Sequence, residues 1–94
     1  MDIQKAKEQI VPIIKKHNIS KAALFGSIVT GKMTSESDID LLVDMPKDSS
    51  LFDLMRVKVD LEEQLGRRVD LVQYKAIKLR LKDEILANQT SVFI

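Results

Sequence analysis

The sequence predicts an α/β (α+β) domain, a small mixed three- to four-stranded sheet with helices packed on it. Short apolar runs at residues 21–25, 38–44 and 69–72 alternate with longer segments whose apolar residues recur at three- and four-residue steps. Clusters of Gly, Pro, Ser and Asn separate the two kinds of segment. Ninety-four residues make one domain, expected to run from 1 to 94.

Residues 2–17 form the first predicted helix. Ile3, Ala6, Ile10, Ile13, Ile14 and His17 face inward, and Lys5, Lys7, Glu8, Lys15 and Lys16 lie mostly outside. Pro12 removes one backbone donor and favours a kink. His17 suits the negative end of a helix dipole, and there is no second histidine to share a metal with it. Asn18 to Ser20 is a turn, and Lys21 to Phe25 reads as a buried strand. Gly26 to Glu36 has loop composition, with room for one helical turn at Ile28 to Lys32. Residues 38–44 form the second strand. Pro46 and the Asp48-Ser49-Ser50 cluster turn the chain, and Ser49 or Ser50 serves as the N-cap of a helix from Leu51 to Leu65. That helix carries a broad apolar stripe: Phe52, Met55 and Val59 on one side, with Leu51, Leu54, Leu61 and Leu65 beside it. Gly66 stops it. Val69 to Val72 is a third strand, and Ala76 to Asn88 a third long helix with Ile77, Leu81 and Ile85 inward and Leu86 as a further candidate. Val92 to Ile94 is short enough to be either an edge strand or a tail.

Composition excludes several classes of function. A net charge of +1 gives no bulk attraction to a nucleic-acid backbone, so strong nucleic-acid binding is not expected. Cysteine is absent, which removes disulfides and thiolate metal sites. No apolar stretch approaches the ~20 residues that span a bilayer, and the charged start Met-Asp-Ile-Gln-Lys-Ala-Lys-Glu has no export-signal core. A cytoplasmic protein without membrane contact is the expectation.

The chemistry concentrates between residues 22 and 72. Asp is disfavoured in strands, yet Asp38 and Asp40 open an apolar run. In an extended chain residues i and i+2 share a face, so these two carboxylates project side by side while Ile39 turns the other way. Like charges so placed repel, and a divalent cation relieves them. Asp70, in Val-Asp-Leu-Val, adds a third carboxylate if its strand lies beside theirs; pairing with Arg67 or Arg68 is its bland alternative. Three such acids are what a two-metal centre needs, holding two Mg²⁺ ions about 3.5–4 Å apart for phosphoryl or nucleotidyl transfer, with Asp70 helping to take a proton. Gly26 lets the backbone approach a phosphate closely, and the Ser27 hydroxyl and neighbouring amides donate to its oxygens. Asp44 continues the i, i+2 series but lies beyond the site.

Gly26-Ser27, ten residues, then Asp38-Ile39-Asp40 resembles the Gly-Ser-x10-Asp-x-Asp signature of the minimal nucleotidyltransferases of the DNA polymerase β superfamily. Leu-Phe-Gly-Ser-x3-Gly, Ser37-Asp-Ile-Asp-Leu-Leu-Val and the third acid, Asp70, are similar to that group as well. The resemblance implies a polymerase-β-like nucleotidyltransferase fold and transfer of AMP from ATP with Mg²⁺. It implies Asp38, Asp40 and Asp70 as catalytic metal ligands, and Gly26, Ser27 and Ser37 as nucleotide-binding residues. Chains this short resemble antitoxins paired with a HEPN-domain ribonuclease toxin, on which the antitoxin adenylylates a tyrosine. The sequence departs from the family's Gly-Ser-Arg-x-Arg-Gly at Ile28 and Thr30, which removes two phosphate-binding guanidinium groups. The alternative is therefore an antitoxin that neutralises its toxin by binding alone. A transferase acting on a small molecule or an RNA end is the third reading, and the near-neutral charge argues against RNA.

Overall fold

A computed structural model describes residues 2–76 and 90–92. The elements run α1 (Ile3–Lys16), β1 (Lys21–Phe25), α2 (Ser27–Thr30), β2 (Ile39–Asp44), α3 (Leu51–Leu65), β3 (Val69–Gln73), a 3₁₀ turn (Tyr74–Ala76) and β4 (Thr90–Ser91). Beyond Ala76, which ends the 3₁₀ turn, the expected third long helix at 76–88 lies outside the described residues, as do the last two residues.

The helix ends follow local chemistry. Asp2 caps α1 by accepting from the Lys5 amide at 2.8 Å, and the helix continues through Pro12. Ser50 caps α3 in a reciprocal box with Asp53, whose carboxylate accepts from the Ser50 amide at 2.8 Å. Gly66 ends α3 in the left-handed conformation.

The four-stranded sheet has the order β3-β2-β1-β4. β1 runs antiparallel to β2 and β4, while β2 and β3 are parallel and joined through α3. Ala22, Leu24, Ile39, Leu41, Val43 and Val69 point to one face, where they form the core with Ala6, Ile10 and Ile14 of α1 and Val57, Leu61 and Leu65 of α3. Each of the larger of these side chains stabilises the fold by ~1.5–3 kcal/mol.

The broad stripe expected on α3 divides in two. Leu61 and Leu65 are buried and Leu54 packs against the core, but Leu51, Phe52, Met55 and Val59 are exposed, Phe52 at 81 %. The inward line is 54, 57, 61 and 65, at the helical spacing; α1 and the sheet occupy only that side.

Candidate active site

β1 ends at Phe25, paired with Asp40 of β2, so Gly26 emerges next to that carboxylate. Its φ of 74° and ψ of −144° suit glycine. A Cβ placed there would clash with Asp40 Oδ2 and lie 3.1 Å from its Cγ. The Gly26 carbonyl accepts from the Val29 and Thr30 amides at 3.1 Å each, opening the single turn of α2, and Gly31 closes it with φ 77°. Ser27 thus lies at the start of that turn, where amides have no intrahelical acceptors. Ile28 points into the core and is 6 % exposed. Thr30 is exposed, its hydroxyl donating to the Ser27 carbonyl at 3.4 Å.

The connector to β2 is held from two sides. The Ser37 hydroxyl accepts from the Thr34 amide at 2.9 Å and meets the Thr34 hydroxyl at 3.1 Å, so Ser37 serves the loop's own turn in this state. Arg67 Nη1 donates to the carbonyls of Thr34 and Ser37 at 3.1 Å and of Ser35 at 3.4 Å. The Ile39 amide donates to the Arg68 carbonyl at 2.9 Å, and Glu62 of α3 accepts from the Val69 amide at 3.0 Å. The starts of β2 and β3 are therefore tied to each other and to the helix between them.

Asp40 and Asp70 are register partners on adjacent parallel strands and project to the face opposite the core, as Ile39 and Val69 are buried on the core side. Asp38, one residue before β2, shares that face by the i, i+2 alternation. The electrostatics agree. Burial first, then the charges of Asp70 and Asp38, raise the Asp40 pKa from 3.8 to about 6. Asp38 accepts from Arg68 Nε at 3.2 Å. The arginine pairing that was the bland alternative for Asp70 thus belongs to Asp38, through Arg68, and Arg67 serves the loop.

Among the described residues, no three His, Cys, Asp or Glu side chains stand close enough together, as they are placed, to hold a metal ion. The donor set nonetheless fits a hard divalent cation: three carboxylates on one face, all-oxygen, with mutual repulsion that a cation removes. The sequence named Arg67 and Arg68 only as partners for Asp70, and Glu62 not at all. A signal for Arg68 was present, since it stands two residues before Asp70 and so on the same strand face. His17 also has a role unseen in the sequence: its Nε2 lies 2.7 Å from Asp60 Oδ2, joining the end of α1 to α3.

The chain is similar to known proteins in sequence and in fold. Residues 8–94 match the family described as "Polymerase beta, Nucleotidyltransferase". A Methanocaldococcus jannaschii protein named as a protein adenylyltransferase is 42 % identical over 92 residues, covering 98 % of this chain and 99 % of that one. Protein adenylyltransferase MntA of Thermococcus cleftensis is 33 % identical over 72 residues, 77 % of this chain and 73 % of its own. Among solved structures, a minimal nucleotidyltransferase superposes with a TM-score of 0.82 at 31 % identity over 96 % of this chain and 95 % of that one. A toxin–antitoxin structure with AMP-PNP superposes at 0.81 over 93 % of this chain and 72 % of that one; at 20 % identity it speaks for the fold alone. With the Gly-Ser turn and the three acids on one sheet face, and with the match running through nearly the whole sequence, the chain belongs to the polymerase β nucleotidyltransferase family, among its minimal members.

Proposed function

We propose that this chain transfers AMP from ATP to a protein hydroxyl, with Mg²⁺ held as a pair of ions by Asp38, Asp40 and Asp70. The acceptor we propose is a tyrosine of a HEPN-domain toxin, with this chain as its antitoxin. The observation that carries the reading is the Asp40–Asp70 register pair on the face that Asp38 shares, directly beside Gly26. The names of the relatives support a protein acceptor, and structures of a HEPN toxin with its MNT antitoxin share the fold.

The chain's own residues supply position and charge. Gly26 brings the backbone against the carboxylates, and the turn at Ser27 presents amides and a hydroxyl to phosphate oxygens. Arg67 and Ser37 hold the connector so that Asp38 enters the site in a fixed direction. A bond forms between the acceptor oxygen and the α-phosphorus, the bond from that phosphorus to pyrophosphate breaks, and the acceptor proton passes to the exposed Asp70 carboxylate and on to water. Divalent cations, when bound, supply the positive charge that stabilises the attacking and leaving oxygens.

Incubating the chain with ATP labelled at the α-phosphate, Mg²⁺ and its toxin partner tests this. Label is expected on the toxin and is expected to vanish with Asp38→Asn or Asp70→Asn while the far-UV spectrum is kept. Labelling that persists in both variants refutes the assigned roles.

Neutralisation by binding alone is a second reading, favoured because Ile28 is buried in the core and Thr30 brings no charge to the turn. It predicts that an Asp38→Asn, Asp40→Asn double variant still protects cells from the toxin, and that the native chain transfers no label.

A further inference from the structure

Two arginines follow one another at the start of β3 and do different things. Arg67 is spent on three loop carbonyls. Arg68 has its backbone fixed, because its carbonyl accepts the Ile39 amide at 2.9 Å, while its side chain is 81 % exposed and meets Asp38 through Nε at 3.2 Å. Since Val69 is buried on the core side, Arg68 and Asp70 project together onto the face that holds the carboxylates. A cleft of about 350 Å³ opens beside Arg68 and Asp38, between Ser35–Asp38 and Gly66–Arg68.

That face has a charge problem with two stages. Before any cation arrives, three carboxylates crowd together and Arg68 offsets one of them. Once a cation takes the Asp38 oxygens, the guanidinium loses its partner at the moment a triphosphate brings new negative charge to the same place. The turn that cradles phosphate, Ser27–Thr30, contains no cationic residue of its own. An exposed guanidinium–carboxylate pair is weak, and a divalent ion outcompetes it readily. A guanidinium set free there matches phosphate oxygens in a bidentate fork.

We infer that Arg68 exchanges partners, holding Asp38 in the metal-free chain and a phosphate oxygen of the nucleoside triphosphate after a cation has claimed Asp38. This rests on the active-site reading above and makes Arg68 a substrate-binding residue of that site. It carries two opposed consequences: Arg68 competes with the metal alone, and cooperates with metal and nucleotide together.

The test is binding, not turnover. Mn²⁺ is titrated by electron paramagnetic resonance into the full chain and into Arg68→Gln and Arg68→Lys, and α,β-methylene-ATP is then titrated with Mn²⁺ saturating. Arg68→Gln is expected to bind Mn²⁺ alone roughly two- to fivefold more tightly and the analogue about tenfold more weakly, with Arg68→Lys between it and the native chain in both. Mn²⁺ affinity that does not rise in Arg68→Gln, or analogue affinity that does not fall, overturns the exchange while leaving the site intact. If Mn²⁺ binding to the native chain is unmoved by Asp38→Asn plus Asp40→Asn, the active-site reading itself falls and the exchange with it.

Discussion

Replacing Asp40 by Asn removes a carboxylate that the fold holds at a cost, so the variant lacking metal is expected to be more stable than the native chain. The Asp40 pKa is raised from 3.8 to about 6 by burial and by the charges of Asp70 and Asp38. Taken whole, that difference amounts to ~3 kcal/mol; Asp40 is only half-buried, and solvent screening reduces it to ~1 kcal/mol. The folded chain keeps a proton on Asp40 that the unfolded chain has already released, so its stability is fully present below 3.8 and is lost as pH rises through about 6. Asn at this position carries no such loss. Thermal melts in EDTA at pH 7.5 are therefore expected to place Asp40→Asn ~4–8 °C above the native chain, the shift that ~1 kcal/mol produces in a domain of this size. At pH 4 the two are expected to converge. Added Mg²⁺ is expected to raise the native melting temperature and to leave the variant nearly unmoved. A variant no more stable than the native chain at pH 7.5, or a difference as large at pH 4, refutes the claim that the carboxylates oppose one another in the fold.

Gly26→Ala places a methyl group against the Asp40 carboxylate at a φ of 74°, so it is expected to lower stability by ~1–3 kcal/mol. Where still folded, it is expected to lose AMP transfer by about a hundredfold because the carboxylate is displaced; calorimetry and label incorporation read the two effects separately. Adding a guanidinium to the short helix separates its two positions. Thr30→Arg, on an exposed residue, is expected to lower the KM for ATP several-fold with little change in Tm, as charge-assisted phosphate contacts do. Ile28→Arg is expected to destabilise the chain by ~3 kcal/mol or more in a denaturant titration, since it drives an unpaired charge into the core.

Local periodicity carried much of the fold. The bounds read for Lys21–Phe25 and Leu51–Leu65 coincide with β1 and α3, because a short apolar run, a cap at Ser50 and a stop at Gly66 are features of neighbouring residues. The same holds for Asp38 and Asp40: two-residue spacing is enough to place them on one face once the segment is extended. The α3 stripe was less legible. Leu51, Phe52, Met55 and Val59 are as apolar as Leu54 and Leu61, and nothing within the helix says which line faces the sheet. The division follows from where α1 and the strands lie, which is information from distant segments.

The amino-acid sequence by itself determined the strands and helices named above, the glycine-serine turn and the acidic pair that follows it, since each depends on residues within a turn or two of one another. Only the tertiary structure decided that Asp70 stands level with Asp40, that Arg68 pairs with Asp38, and that Arg67 holds the connector. Those outcomes depend on the register of β2 against β3. A slip of one residue in that parallel pairing would move Asp70 to the core face, and register is set by the packing of Ile39, Leu41 and Val69 against α1 and α3 rather than by any local pattern.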